Sequence, residues 1–138
     1  MRTSRGAKIA AAKIGPLVAL AIMLVGLRAP QAPADDGRSA ALDDIGRGTA
    51  AFRSGDIVAA TQHWSEAIRV CRQIGAPDIE AQALSRRGEA YRIEGYFRDA
   101  DRDLRAALAR AEESGDQALI AASSGALGNL LFSEADFA

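Results

Sequence analysis

The sequence predicts an all-α protein: a helix-turn-helix solenoid of about two and a half repeats, set behind an N-terminal signal peptide. Three observations carry the prediction. Glycine recurs at a constant interval of 40 residues, at Gly48, Gly88 and Gly128, at Gly55 and Gly95, and at Gly75 and Gly115; self-similarity at a fixed period of this size marks a repeat architecture. Between these glycines, small and apolar residues fall three and four apart, the period of an amphipathic helix. Strand signals are missing, since there is no sustained alternation and β-branched residues are few.

The first element, residues 1–34, reads as a signal peptide. Residues 1–15 carry Arg2, Arg5, Lys8 and Lys13 and no acid, and "PLVALAIMLVGL" at 16–27 is an uninterrupted apolar run. That run is short for a bilayer span, which needs roughly 20 residues. It suits the apolar centre of a secretory signal, and Ala32 and Ala34 supply the small side chains of a cleavage site, so cleavage is expected after Ala34. An uncleaved anchor is the alternative reading. The expected destination is periplasmic or secreted, with membrane contact limited to export. All 18 acids lie at or after Asp35, against 12 arginines, so the mature part carries a balance of −6. An acidic chain is a poor ligand for nucleic acid, whose affinity comes largely from neutralised phosphates.

The remaining chain, 35–138, predicts five helices, over 39–54, 57–74, 78–94, 97–114 and 117–133. Turns at "SGD" (54–56) and "EGY" (94–96) separate the members of each pair. Gly75 and Gly115 sit where a helix C-terminal glycine belongs. Pro77 suits the first turn of the third helix. In the fourth, Ala100, Leu104, Ala107, Leu108 and Ala111 trace one stripe. Other positions keep the same step: Ala50 with Ala90, Ala60 with Ala100, Ala67 with Ala107, and Ile57 with Phe97 and Phe137. The units are thus about 41–76, 77–116 and a partial 117–138.

"LSRRGEAYRIEGYFRDADRDLRAAL" resembles the tetratricopeptide repeat pattern, with Leu84, Gly88, Tyr91, Gly95, Phe97, Ala100, Leu104 and Ala107 at its signature places. The preceding unit matches through Gly48, Gly55, Ile57, Ala60, Trp64 and Ala67, with Ala51 in place of the tyrosine. The last unit matches through Leu127, Gly128, Leu131 and Phe137, with Ala135 in place of the turn glycine. The period of 40 exceeds the family's usual 34 by about six residues. In that respect the chain is similar to the repeats of kinesin light chains and to arrays preceding CHAT protease-like domains.

Chemistry-bearing residues are sparse. His63 and Cys71 are the sole histidine and cysteine, against about four ligands for a structural zinc site, so no metal is expected. One cysteine excludes a disulfide framework within the chain, and the helical stripe around Cys71 predicts a buried thiol. There is no "GxSxG", and "GALG" at 125–128 lacks phosphate-loop spacing, so neither enzyme activity nor a cofactor is expected. Asp99, Asp101 and Asp103, interleaved with Arg98, Arg102 and Arg105, read as a solvated helix face.

The resemblance implies a protein or peptide partner in a concave groove lined by the first helix of each pair. Carried over by position, the groove residues are Thr49, Phe52 and Arg53, then Ser85, Glu89 and Arg92, then Asn129 and Phe132. Phe52 and Phe132 are the expected anchors, because each falls one place after a core position, Ala51 or Leu131. The last predicted helix carries Leu127 and Leu131 where a further helix would pack, whereas a terminal repeat ordinarily presents a polar face. Either a longer repeat protein continues beyond residue 138, for example as a regulatory array before a CHAT-like protease, or another chain supplies the cover through self-association.

Overall fold

Glycine turns and helix-period burial produce five α-helices in a computed structural model that describes residues 31–137: α1 (Gln31–Arg53), α2 (Ile57–Ile74), α3 (Pro77–Ile93), α4 (Phe97–Ser114) and α5 (Gln117–Phe137). Among the described residues there is no strand. The bounds of α2 and α4 coincide with the sequence expectation, and α3 is displaced by one residue. α1 begins at Gln31 rather than at residue 39. Pro33 is tolerated there because the first turn of a helix has no use for its missing N–H. Gly37 does not break the helix; a Cβ there would lie 2.8 Å from Ile74 Cγ2. The expected cleavage point after Ala34 falls near the start of α1, and the basic and apolar segments of 1–30 lie outside the described residues. Among the described residues, no helix is long and apolar enough to cross a membrane.

Each connection is two or three residues long and turns on a glycine in the left-handed region, with φ of 85° at Gly55, 68° at Gly75, 80° at Gly95 and 72° at Gly115. Side chains with a Cβ avoid that region, so these four positions explain the regular glycine spacing. Aspartates complete two of the turns. Asp56 accepts from the Ala59 N–H at 2.9 Å, and Asp116 accepts from Ala118 and Leu119 at 2.9 and 3.2 Å. Each thereby satisfies donors that the first helical turn leaves open.

From Asp36 onward the described helices pack as one compact unit. α3 is its centre, with Ile79, Glu80, Ala81, Ala83, Leu84, Gly88 and Ala90 all buried. One core cluster joins Ala41 and Ile45 of α1 to Ala60, Trp64, Ala67, Ile68 and Cys71 of α2 and to Ile79 and Leu84 of α3. A second joins Ala100 and Leu104 of α4 to Leu130 of α5, with Tyr91, Phe97, Ala126 and Leu127 packed around them. Fully buried alanines at 60, 67, 100 and 107 let the helices lie close. Gly88 makes the same kind of approach, since a Cβ there would stand 2.8 Å from Leu104 Cγ.

Two sequence expectations are corrected by this packing. Asp103 is not solvated: it is 2% exposed and accepts from Arg87 Nε at 2.6 Å and Nη2 at 3.0 Å. Position 103 precedes Leu104 on the buried stripe of α4, so its carboxylate enters the α3–α4 contact and takes Arg87 with it. Arg87 Nη1 also donates to Ser65 Oγ at 2.8 Å, so one guanidinium joins α2, α3 and α4. Asp99 and Asp101 remain at the surface, paired with Arg102 and Arg105. On α5, Leu127 packs with Leu130 into the second core cluster rather than lying on the outer face. The outer face shows Leu131 and Phe132 instead, 51% and 71% exposed.

Candidate functional site

α1, α3 and α5 are neighbours along one side of the compact unit. At one end Arg38 donates from Nη2 to Asp78 at 2.6 Å and from Nη1 at 3.2 Å. The Arg38 guanidinium thereby holds the Asp78 carboxyl below its ordinary value of 3.8, against the opposing effect of burial. Between α3 and α5, Ser85 Oγ lies 3.4 Å from Ser123 Oγ, and Arg92 Nη1 donates to Ser133 Oγ at 2.9 Å.

Two cavities open between these helices. The first, about 210 Å³, lies between α1 and α3 and is lined by Thr49, Phe52, Trp64, Ser85, Arg86 and Glu89. The second, about 300 Å³, lies between α3 and α5 and is lined by Gln82, Ser85, Arg86, Leu119, Ala122 and Ser123. Ser85 and Arg86 belong to both.

Trp64 forms the floor of the first cavity because α1 has no side chain at Gly48. A Cβ there would stand 2.5 Å from the indole Nε1 and 2.7 Å from Cδ1. The indole N–H donates to the Ile45 carbonyl at 3.4 Å, so the buried ring keeps its polar atom satisfied. Phe52 tilts against it, with ring centroids 5.8 Å apart and an interplanar angle of 45°. The lining hydroxyls are already engaged: Thr49 donates to the Ile45 carbonyl at 2.8 Å, and Ser85 pairs with Ser123. Glu89 accepts both Nε and Nη2 of Arg92, at 2.9 and 2.5 Å. That carboxylate in turn raises the Arg92 guanidinium above its ordinary value. Arg86 is exposed and has no ion-pair partner among the described residues.

The structure brings four of the residues of the groove assignment, Thr49, Phe52, Ser85 and Glu89, to the wall of the first cavity. Arg92 is adjacent but committed to Glu89 and Ser133. Arg53 is exposed at the end of α1, and Asn129 and Phe132 are exposed on α5; none of the three lines either cavity. Phe52 is half-buried against Trp64, so it both packs and faces the cavity. Trp64 and Arg86 escaped the sequence reading. Trp64 had a detectable signal, since it follows Gly48 by the same 16 residues that separate Leu104 from Gly88.

The opposite side of α3 offers different chemistry. A cavity of about 260 Å³ is lined by Cys71, Arg72, Glu80, Arg110 and Glu113, among others. Its cations are already paired, Arg72 with Glu80 at 2.8 Å and Arg110 with Glu113 at 2.8 Å. Burial pushes the Cys71 thiol up to about 11, with Glu80 and Asp78 adding to the effect. At neutral pH the sulfur stays protonated and is a weak nucleophile. His63 Nδ1 lies 3.3 Å from Asp44 Oδ1, an intermediate-exposure contact between α1 and α2.

Comparison with protein-family models, curated proteins and solved structures returned no match.

Proposed function

We propose that the chain is an exported protein-protein interaction module of the long-period tetratricopeptide class, holding a peptide segment of its partner on the α1–α3–α5 face. The 40-residue period and the resemblance of residues 84–108 to that repeat pattern support the class. The basic and apolar N-terminal segment supports export, to the periplasm or outside the cell. The observation that carries the binding reading is the pair of cavities running from Thr49 and Phe52 past Ser85 to Ser123, concave and mostly apolar, with a few polar groups at the edge. Sites of that composition suit side-chain anchors of a bound segment.

The test is panning of a phage-displayed random dodecapeptide library on the full chain, with Phe52→Ala in parallel. Enriched peptides are expected to bind at least about tenfold more weakly to Phe52→Ala, as truncation of an aromatic anchor entails. Recovery of no specific binder, or binders indifferent to Phe52, sinks the reading.

A second reading, assembly through α5, is favoured by the exposure of Leu131 and Phe132 and by Gly128, around which nothing lies within 4 Å of a built Cβ. Its measure is sedimentation of the full chain, where a monomer independent of concentration rules it out.

A further inference from the structure

We infer that the segment bound on this face carries a large apolar side chain next to an acidic one, the first seated against Phe52 and Trp64 and the second held by Arg86. The inference rests on the peptide-binding reading and names the chemistry of its ligand. The cavity between α1 and α3 is walled by Phe52 and Trp64, and its hydroxyls are spent on the Ile45 carbonyl and on Ser123. Seated against the two rings, a polar side chain would lose water without gaining a partner, whereas an apolar one loses nothing.

The charge at the rim decides the neighbour. Arg87 is bound to Asp103, Arg92 to Glu89, and on the far side of α3 Arg72 to Glu80. Arg86 stands without such a partner among the described residues and lines both cavities. A guanidinium offers a planar fork of donors that fits a carboxylate with two hydrogen bonds. The rim acid, Glu89, has both oxygens occupied by Arg92, so it offers little to a basic residue. Because Arg86 lies between the two cavities, a bound chain continues on both sides of it. The carboxylate is therefore that of an internal Asp or Glu rather than a chain terminus.

Trp64 is the sole tryptophan, so its emission reports on the cavity it floors. The full chain is titrated with end-blocked glycine-serine heptapeptides carrying a central Phe-Asp, Phe-Asn or Phe-Lys pair. The Phe-Asp peptide is expected to shift the emission saturably and to bind about tenfold more tightly than Phe-Asn, the size of a charge-assisted hydrogen bond. Arg86→Gln, at an exposed position where the circular dichroism melt stays unchanged, is expected to abolish that difference. Equal affinity for Asp and Asn, a preference for Lys, or indifference to Arg86→Gln overturns the inference. If none of the three peptides moves the emission while library panning yields Phe52-dependent binders, the inference falls and peptide binding stands. Silence in both experiments overturns both.

Discussion

Residue Asp103 illustrates how one buried charge can organise three helices. Its carboxylate is 2% exposed, and the guanidinium that satisfies it also reaches Ser65, whose hydroxyl donates to the Thr61 carbonyl at 2.6 Å. Removing one member of such a pair leaves the other desolvated and uncompensated. Asp103→Ala is therefore expected to cost about 3 to 5 kcal/mol in urea unfolding, whereas the joint change Arg87→Met with Asp103→Leu recovers most of that loss. A single-variant loss under about 1 kcal/mol would show that water screens the pair as it does at a surface. The sequence could not show this. Asp99, Asp101 and Asp103 alternate along α4 with similar neighbours, and only the third projects into α3. Arg86 and Arg87 are likewise adjacent in sequence and opposite in circumstance, one exposed and one 16% exposed beneath its ion pair.

Elements were far more legible than side-chain partnerships. The turns announce themselves locally, through a glycine that adopts positive φ at each end and, before α2, through the capping Asp56, so α2 and α4 could be bounded to the residue. α1 could not, because Pro33 and Gly37 look like breakers and act as neither: one lies in the first turn, the other against Ile74. α5 was legible as a helix but not in its orientation. Leu127, Leu130 and Leu131 all fit an apolar stripe, and only contact with Leu104 selects Leu127 and Leu130 for the interior. The consequence is an outer face bearing Leu131 and Phe132, with Gly128 bare where Gly48 meets Trp64 and Gly88 meets Leu104. A helix apolar on both faces is normally covered. If a second copy provides the cover, sedimentation of the full chain shows concentration-dependent association, and Phe132→Ser weakens it at least about tenfold.

At the scale of the whole molecule, the polar contacts that span about one repeat period join helices two apart in the chain. Arg38 ties α1 to Asp78 of α3, and Arg92 ties α3 to Ser133 of α5. Because the hydrogen bond from Arg38 lowers the Asp78 carboxyl from 3.8, the pair stabilises the fold above that pH and loses its contribution as pH falls through the lowered value. Asp78→Asn is accordingly expected to melt below the wild type at neutral pH, with the difference shrinking below about pH 4. A gap that stays constant down to pH 2 would assign the effect to something other than ionisation. These ties fall to opposite ends of the central helix, which packs against α2, α4 and α5, whereas α5 packs against α3 and α4 and leaves Leu131 and Phe132 exposed. A helix supported on one side opens at a smaller free energy than one enclosed. The two cavities inherit that inequality. The first is floored by a buried indole locked over Gly48, and the second has α5 for a wall, so one face presents a seat of fixed shape beside one that can widen to what enters it.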